Sequence, residues 1–126
     1  MKWSYLCLLI AGLLPVICAG IAKSGAKGYD NHDPRAWMAQ LTGRRARADA
    51  AQANSFEAFP FFAAGVLLAL QAGVDTTRID ALAIVFVLAR VVYIACYLND
   101  RASLRSLFWT LGYLCVLALF VLAILA

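Results

Sequence analysis

The stretch Arg47-Ala48-Asp49-Ala50-Ala51-Gln52-Ala53-Asn54-Ser55-Phe56-Glu57-Ala58-Phe59-Pro60 decides how the chain is read. It is built of strong helix formers that extend from Arg44 to Leu70. It carries Arg47, Asn54 and Glu57 into a segment that continues as an apolar run, Phe56 to Val74. These three polar residues lie seven and then three positions apart, so they share one helical face, and Phe61 continues that face into the apolar run. A carboxylate at the mouth of such a helix is costly in a bilayer. It is tolerated where it faces a bundle interior or a watered cavity and acts there.

Three further runs resemble that one: Trp3 to Ala22, Ile79 to Leu98 and Leu107 to Ala126. Each is close to the ~20 residues an α-helix needs to cross the hydrocarbon core. Of the 126 residues, 64% are hydrophobic and only 14% charged, against about a quarter charged in a soluble domain. The expected fold is therefore all-α, a single four-helix integral membrane domain over residues 1–126 with one sizeable polar loop, Lys23 to Ser55. Lys2, the first apolar run and Gly20-Ile21-Ala22 also resemble a cleavable secretory signal. The run is, however, as long as a full span and leads directly into a basic loop, which favours a retained helix.

Charge placement gives the topology. Six of the eleven Lys and Arg lie between Lys23 and Arg47, and two more, Arg101 and Arg105, lie between the third and fourth spans. The opposite side holds only Lys2 and Arg78. By the positive-inside tendency the two basic loops are cytoplasmic and both termini face out, as expected for a bacterial inner-membrane protein. The same bias explains the net charge of +4 without nucleic acid, and no aromatic interleaving accompanies the basic residues.

Cys7, Cys18, Cys96 and Cys115 all sit inside apolar runs, where neither a disulfide framework nor metal-like spacing is found. They read as small core residues. His32, alone in a polar loop, is no metal site, and no metal is expected. Among helix signals, Asp33-Pro34 is a good start and Thr42-Gly43 a potential break. Pro60 is expected to kink its helix, and Gly73 to end it. Thr77-Arg78-Ile79-Asp80 resembles a capping box for the third span.

The third span adds its own polar face: Arg90, Tyr93 and Tyr97, three and four positions apart. Arg90 lies eight residues, or ~12 Å, below the cytoplasmic end. With Arg47, Asn54, Glu57 and Arg105 these residues converge on one side of the membrane. Guanidinium forks suit carboxylates, a lone Glu suits an ammonium group, and a tyrosine or arginine beside a thiol stabilises its thiolate. A zwitterionic thiol peptide such as glutathione meets that description. The same residues also have blander readings: Arg90 paired with Glu57 to hold the bundle, tyrosines at the interface, arginines as inside anchors, and Asn54 as interhelical glue.

Ala51-Gln52-Ala53-Asn54-Ser55-Phe56-Glu57-Ala58-Phe59-Pro60 resembles the second-helix signature Arg-Ala-x-x-Asn-x-x-Glu-x-x-Pro of the MAPEG family, the membrane-associated proteins of eicosanoid and glutathione metabolism. Ala89-Arg90, Tyr93 and Tyr97 look like its third-helix signature. Arg101-Ala102-Ser103-Leu104-Arg105-Ser106 is similar to the stretch opening the fourth helix of its synthases. The resemblance covers nearly the whole chain and is nearest to the family's bacterial branch. It implies a left-handed four-helix bundle assembled as a homotrimer, with glutathione held between neighbouring subunits and open to the cytosol. By position, Arg105 would be catalytic, stabilising the glutathione thiolate. Asn54, Glu57, Tyr93, Tyr97 and Arg101 would bind the peptide, and Arg90 would belong to the core polar network.

One position departs from the signature: the arginine before Ala-x-x-Asn is Ala50 here. Arg47, one turn earlier, or Arg44 or Arg45, is a candidate replacement; otherwise glutathione is held weakly or another ligand is used. Two functions follow. One is a glutathione-dependent transferase or peroxidase acting on lipophilic electrophiles or lipid hydroperoxides. The other is a non-catalytic structural, regulatory or lipid-binding membrane protein. A small multidrug-type transporter is disfavoured, because the first span carries no acid.

Overall fold

The computed structural model describes residues 2–126. Its helices are α1 (Trp3–Lys23), α2 (Pro34–Ala39), α3 (Gly43–Gln71), α4 (Thr76–Leu98) and α5 (Ala102–Leu125), with no strand among the described residues. The four long helices are each long and apolar enough to cross a membrane. They pack as a four-helix bundle: α1 lies chiefly against α3, α4 lies chiefly against α5, and α3 and α4 meet across the middle.

Local sequence explains most of the boundaries. Asp33 caps α2 by accepting from the Ala36 N–H at 3.2 Å, and Pro34 follows in the first turn. The expected break is real: Gln40, Leu41 and Thr42 separate α2 from α3, with Thr42 extended as the N-cap. Pro15 and Pro60 are both carried inside continuous helices. α3 ends with Gly73 at φ +78°, while the Val74 N–H reaches the Ala69 carbonyl and the Gly73 N–H that of Leu70. These two bonds form a Schellman close, in which glycine takes the left-handed position at no steric cost. α4 closes the same way between Cys96 and Arg101, but with Asp100 at φ +57° in the left-handed position.

The capping box expected at 77–80 does not form. α4 begins at Thr76 with Asp75 as N-cap, and no side chain caps it. The third helical residue is Arg78, so Asp80 falls two residues too deep to reach back. The Asp80 carboxylate instead accepts from the Ser4 N–H at 2.8 Å, satisfying an orphan donor in the first turn of α1.

The interior has two apolar clusters. One surrounds the stacked rings of Phe62 and Phe86, 3.9 Å apart at 15°, with Val66, Ile79, Val116 and Leu119. The other, toward the loop end, joins Leu14, Cys18, Ala48, Ala51, Tyr93 and Leu98. Between them lies a polar layer at the level of Ser55 and Arg90, both buried. The outer faces carry many exposed large apolar side chains, among them Leu9, Val16, Leu67, Leu88, Leu107 and Val121. A surface this apolar matches lipid, and the chain is an integral membrane protein.

Candidate functional site

The polar layer exists because α3 and α4 present their polar faces to each other where the two apolar clusters meet. Arg90 is only 3% exposed. Its Nη2 donates to Ser55 Oγ at 3.3 Å, and its guanidinium lies 4.2 Å from the centroid of the Tyr93 ring. Among the described residues it has no carboxylate at ion-pairing distance, so the Arg90–Glu57 pair, one of the bland readings, is not formed. Glu57 is exposed.

From Arg90 a continuous stack runs toward the start of α5. Tyr93 meets Tyr97 edge to face at 5.7 Å and 83°, and the Arg105 guanidinium sits 4.4 Å from the Tyr97 ring centroid. Tyr93 is buried, whereas Tyr97 and Arg105 are half-buried. The order is cation, ring, ring, cation. A guanidinium over a ring face is held electrostatically while its N–H groups stay available to another partner.

On the other side of Arg90 a cavity of about 160 Å³ opens between α3, α4 and α5. Asn54, Glu57 and Arg90 form its polar end. Phe61, Phe86, Trp109 and Tyr113 line the rest. Asn54 Oδ1 is buried and has no hydrogen-bond partner among the described residues. Trp109 and Tyr113 stack at 5.1 Å and 9°, and Phe61 leans on Tyr113 at 5.8 Å. Trp109 lies four residues beyond Arg105, one turn away on the same face of α5, so the stack and the cavity adjoin.

Six of the eight candidate site residues are thus brought together: Asn54, Glu57 and Arg90 around the cavity, and Tyr93, Tyr97 and Arg105 along the stack. Two stand elsewhere. Arg47 donates through Nε and Nη2, each at 3.3 Å, to the Leu98 carbonyl at the end of α4. Arg101 is exposed beside Ala95, Cys96 and Asn99, away from the cavity. Of the other arginines near Ala50, Arg45 donates to the Ser24 carbonyl at 2.9 Å and Arg44 is exposed.

Three residues of the site are absent from the sequence reading as site residues: Ser55, Trp109 and Tyr113. Ser55 holds Arg90 from a neighbouring helix, and no sequence signal announces that. Trp109 and Tyr113 follow Arg105 at steps of four, a periodicity that does mark one helical face. Among the described residues no group of three His, Cys, Asp or Glu could hold a metal ion.

Four membrane-length helices around a buried polar layer, with cations, one carboxylate and two phenols at one end, define a small integral membrane protein with an amphipathic site. The MAPEG family profile matches residues 3–125, and the chain belongs to that family. No curated protein and no solved structure matches it.

Proposed function

We propose that the protein is a glutathione-dependent membrane transferase or peroxidase acting on lipophilic electrophiles or hydroperoxides. The observation that carries this reading is the seating of Arg105 on the Tyr97 ring, one turn from a cavity with an aromatic wall. A fixed guanidinium there favours the thiolate over the thiol, and the thiolate is the nucleophile. The residues present fit glutathione: Glu57 suits its ammonium group, and the unpartnered Asn54 Oδ1 suits an N–H of the peptide. Tyr93 and Tyr97 would stand beside its backbone or carboxylates. Binding in this way supplies proximity as well as charge stabilisation. In keeping with the family, the working assembly would be a homotrimer with the peptide between neighbours, entered from the cytosol.

A specific observation supports a second, non-catalytic reading. Ala50 replaces the family's arginine, and Arg45 and Arg47 are already engaged with the Ser24 and Leu98 carbonyls. In that case the layer is structural or binds lipid.

Ultraviolet difference titration of the detergent-purified protein with glutathione separates the two. A saturable thiolate absorbance at neutral pH, lost in Arg105→Leu, is the result expected of the enzyme. No signal at millimolar glutathione leaves the non-catalytic reading. Arg105→Ala should lower turnover by about 100-fold or more with the assembly intact.

A further inference from the structure

Arg90 has two cavities beside it. One is the cavity between α3, α4 and α5. The other lies toward α1 and is far smaller, about 10 Å³, which is room for a single atom-sized guest. Ala11 and Leu14 of α1 wall it together with the rings of Phe59 and Phe86, and among the described residues its polar lining comes from Ser55 and Arg90 alone. Both are buried, at 4% and 3% exposure.

Charge is the first property that selects the guest. The Arg90 guanidinium bonds to a neutral hydroxyl, Ser55 Oγ at 3.3 Å, and no carboxylate among the described residues lies at ion-pairing distance. A buried charge left uncompensated is expensive, the more so at membrane depth. The second property is the direction of the hydrogen bonds on offer. A guanidinium has five donors and no acceptor, so one bond to Ser55 leaves donors free. The Ser55 hydroxyl has committed one lone pair to Arg90 and keeps one lone pair and a rotatable O–H donor. A water in the cavity would have two protons to place and a single lone pair to receive them. A monatomic anion accepts from both groups, has no proton to place, and cancels the charge. Sulfate or a carboxylate exceeds the space.

We propose that this small cavity is a halide site, in which a chloride ion accepts from Arg90 and Ser55 and compensates the buried guanidinium. It is separate from the cavity assigned to glutathione and does not depend on that reading. Ser55 belongs to α3, Arg90 to α4, and Ala11 and Leu14 to α1. An ion seated among them therefore ties three helices together at one depth. Because only the closed bundle assembles these groups, the ion binds the folded state and stabilises it by mass action.

The test follows the thermal midpoint of the detergent-purified protein as sodium gluconate is replaced by sodium chloride or sodium bromide at constant ionic strength. Sodium sulfate, matched in ionic strength, is the control. Both halides should raise the midpoint saturably, by about 5 °C, and sulfate should not. Ala11→Val fills the cavity without touching Arg90 or Ser55, and Arg90→Gln removes the charge; each should abolish the halide-dependent rise. A midpoint indifferent to halide overturns the proposal and leaves the space to water. An equal rise with sulfate overturns it as a general salt effect. A rise that persists in Ala11→Val places the ion elsewhere and overturns it too. If Arg90→Gln does not fold, the parent and Ala11→Val curves decide. Failure of the glutathione reading leaves these curves unchanged, since no thiol enters the measurement.

Discussion

Arg90 and Ser55 make the case at the scale of single residues. A guanidinium this deeply buried has its geometry set by whatever accepts its hydrogen bonds, and here that acceptor is a serine hydroxyl on another helix. Ser55→Ala should cost about 2 kcal/mol, the order expected when a buried charged donor loses its partner, read as a lower thermal midpoint in detergent. A midpoint unchanged from that of the parent would mean that the hydroxyl is dispensable. Asp100 offers the opposite test. It holds the left-handed position that closes α4, at φ +57°, where a β-carbon is unfavourable. Asp100→Gly should stabilise by about 0.5–1 kcal/mol and raise the midpoint by a few degrees. A fall would show that the carboxylate does more than cap. That polar residues converge at one depth is legible from their spacing. Which atom meets which is not, because helical period specifies a face and leaves distances open.

Between elements, the contacts that matter join residues far apart in the chain. Arg47 reaches from α3 to the last turn of α4 and satisfies a carbonyl that the helix leaves without a partner. Arg47→Ala should cost about 1–2 kcal/mol and increase hydrogen exchange in the final turn of α4, whereas unchanged protection there would deny the cap. At Gly65 a β-carbon would lie 3.3 Å from Phe120 and 3.4 Å from Leu119, so α3 and α5 approach as closely as they do because that position is glycine. Gly65→Val should destabilise by about 1–3 kcal/mol through overpacking, and a midpoint like that of the parent would show the helices free to part. The helices themselves are legible from their apolar runs, and so is the break near Thr42. The capping box at 77–80 is the instructive miss: its spacing fits, with Asp in place of the usual Glu, but Asp80 binds Ser4, 76 positions earlier. Local motifs do not register competitors from a distant helix.

At the scale of the whole molecule, an apolar surface around a polar layer sets an orientation in the bilayer as well as a fold. The basic loop and the start of α5 are expected on the cytoplasmic side, with the termini and the α3–α4 turn outside. Single-cysteine labelling tests this with little background, since all four native cysteines are buried. Lys27→Cys should react with an impermeant maleimide only in inverted vesicles, and Asp75→Cys only in right-side-out ones. The reverse pattern would invert the topology and move the site to the outer face. Span number, helical class and the depth of Asn54, Glu57 and Arg90 are properties of composition and period, which act through local hydrogen bonding and transfer to lipid. Amino-acid order is enough to specify them. The packing of α3 against α4 and α5 alone settles that Arg90 lies beside Ser55, with no carboxylate paired to it among the described residues. The same packing seats Arg105 on Tyr97 and ties Arg47 to the end of α4. Trp109 and Tyr113 likewise become a cavity wall only once the helices meet. Each of these depends on distances between side chains on different helices, and such distances come into being only when the bundle closes.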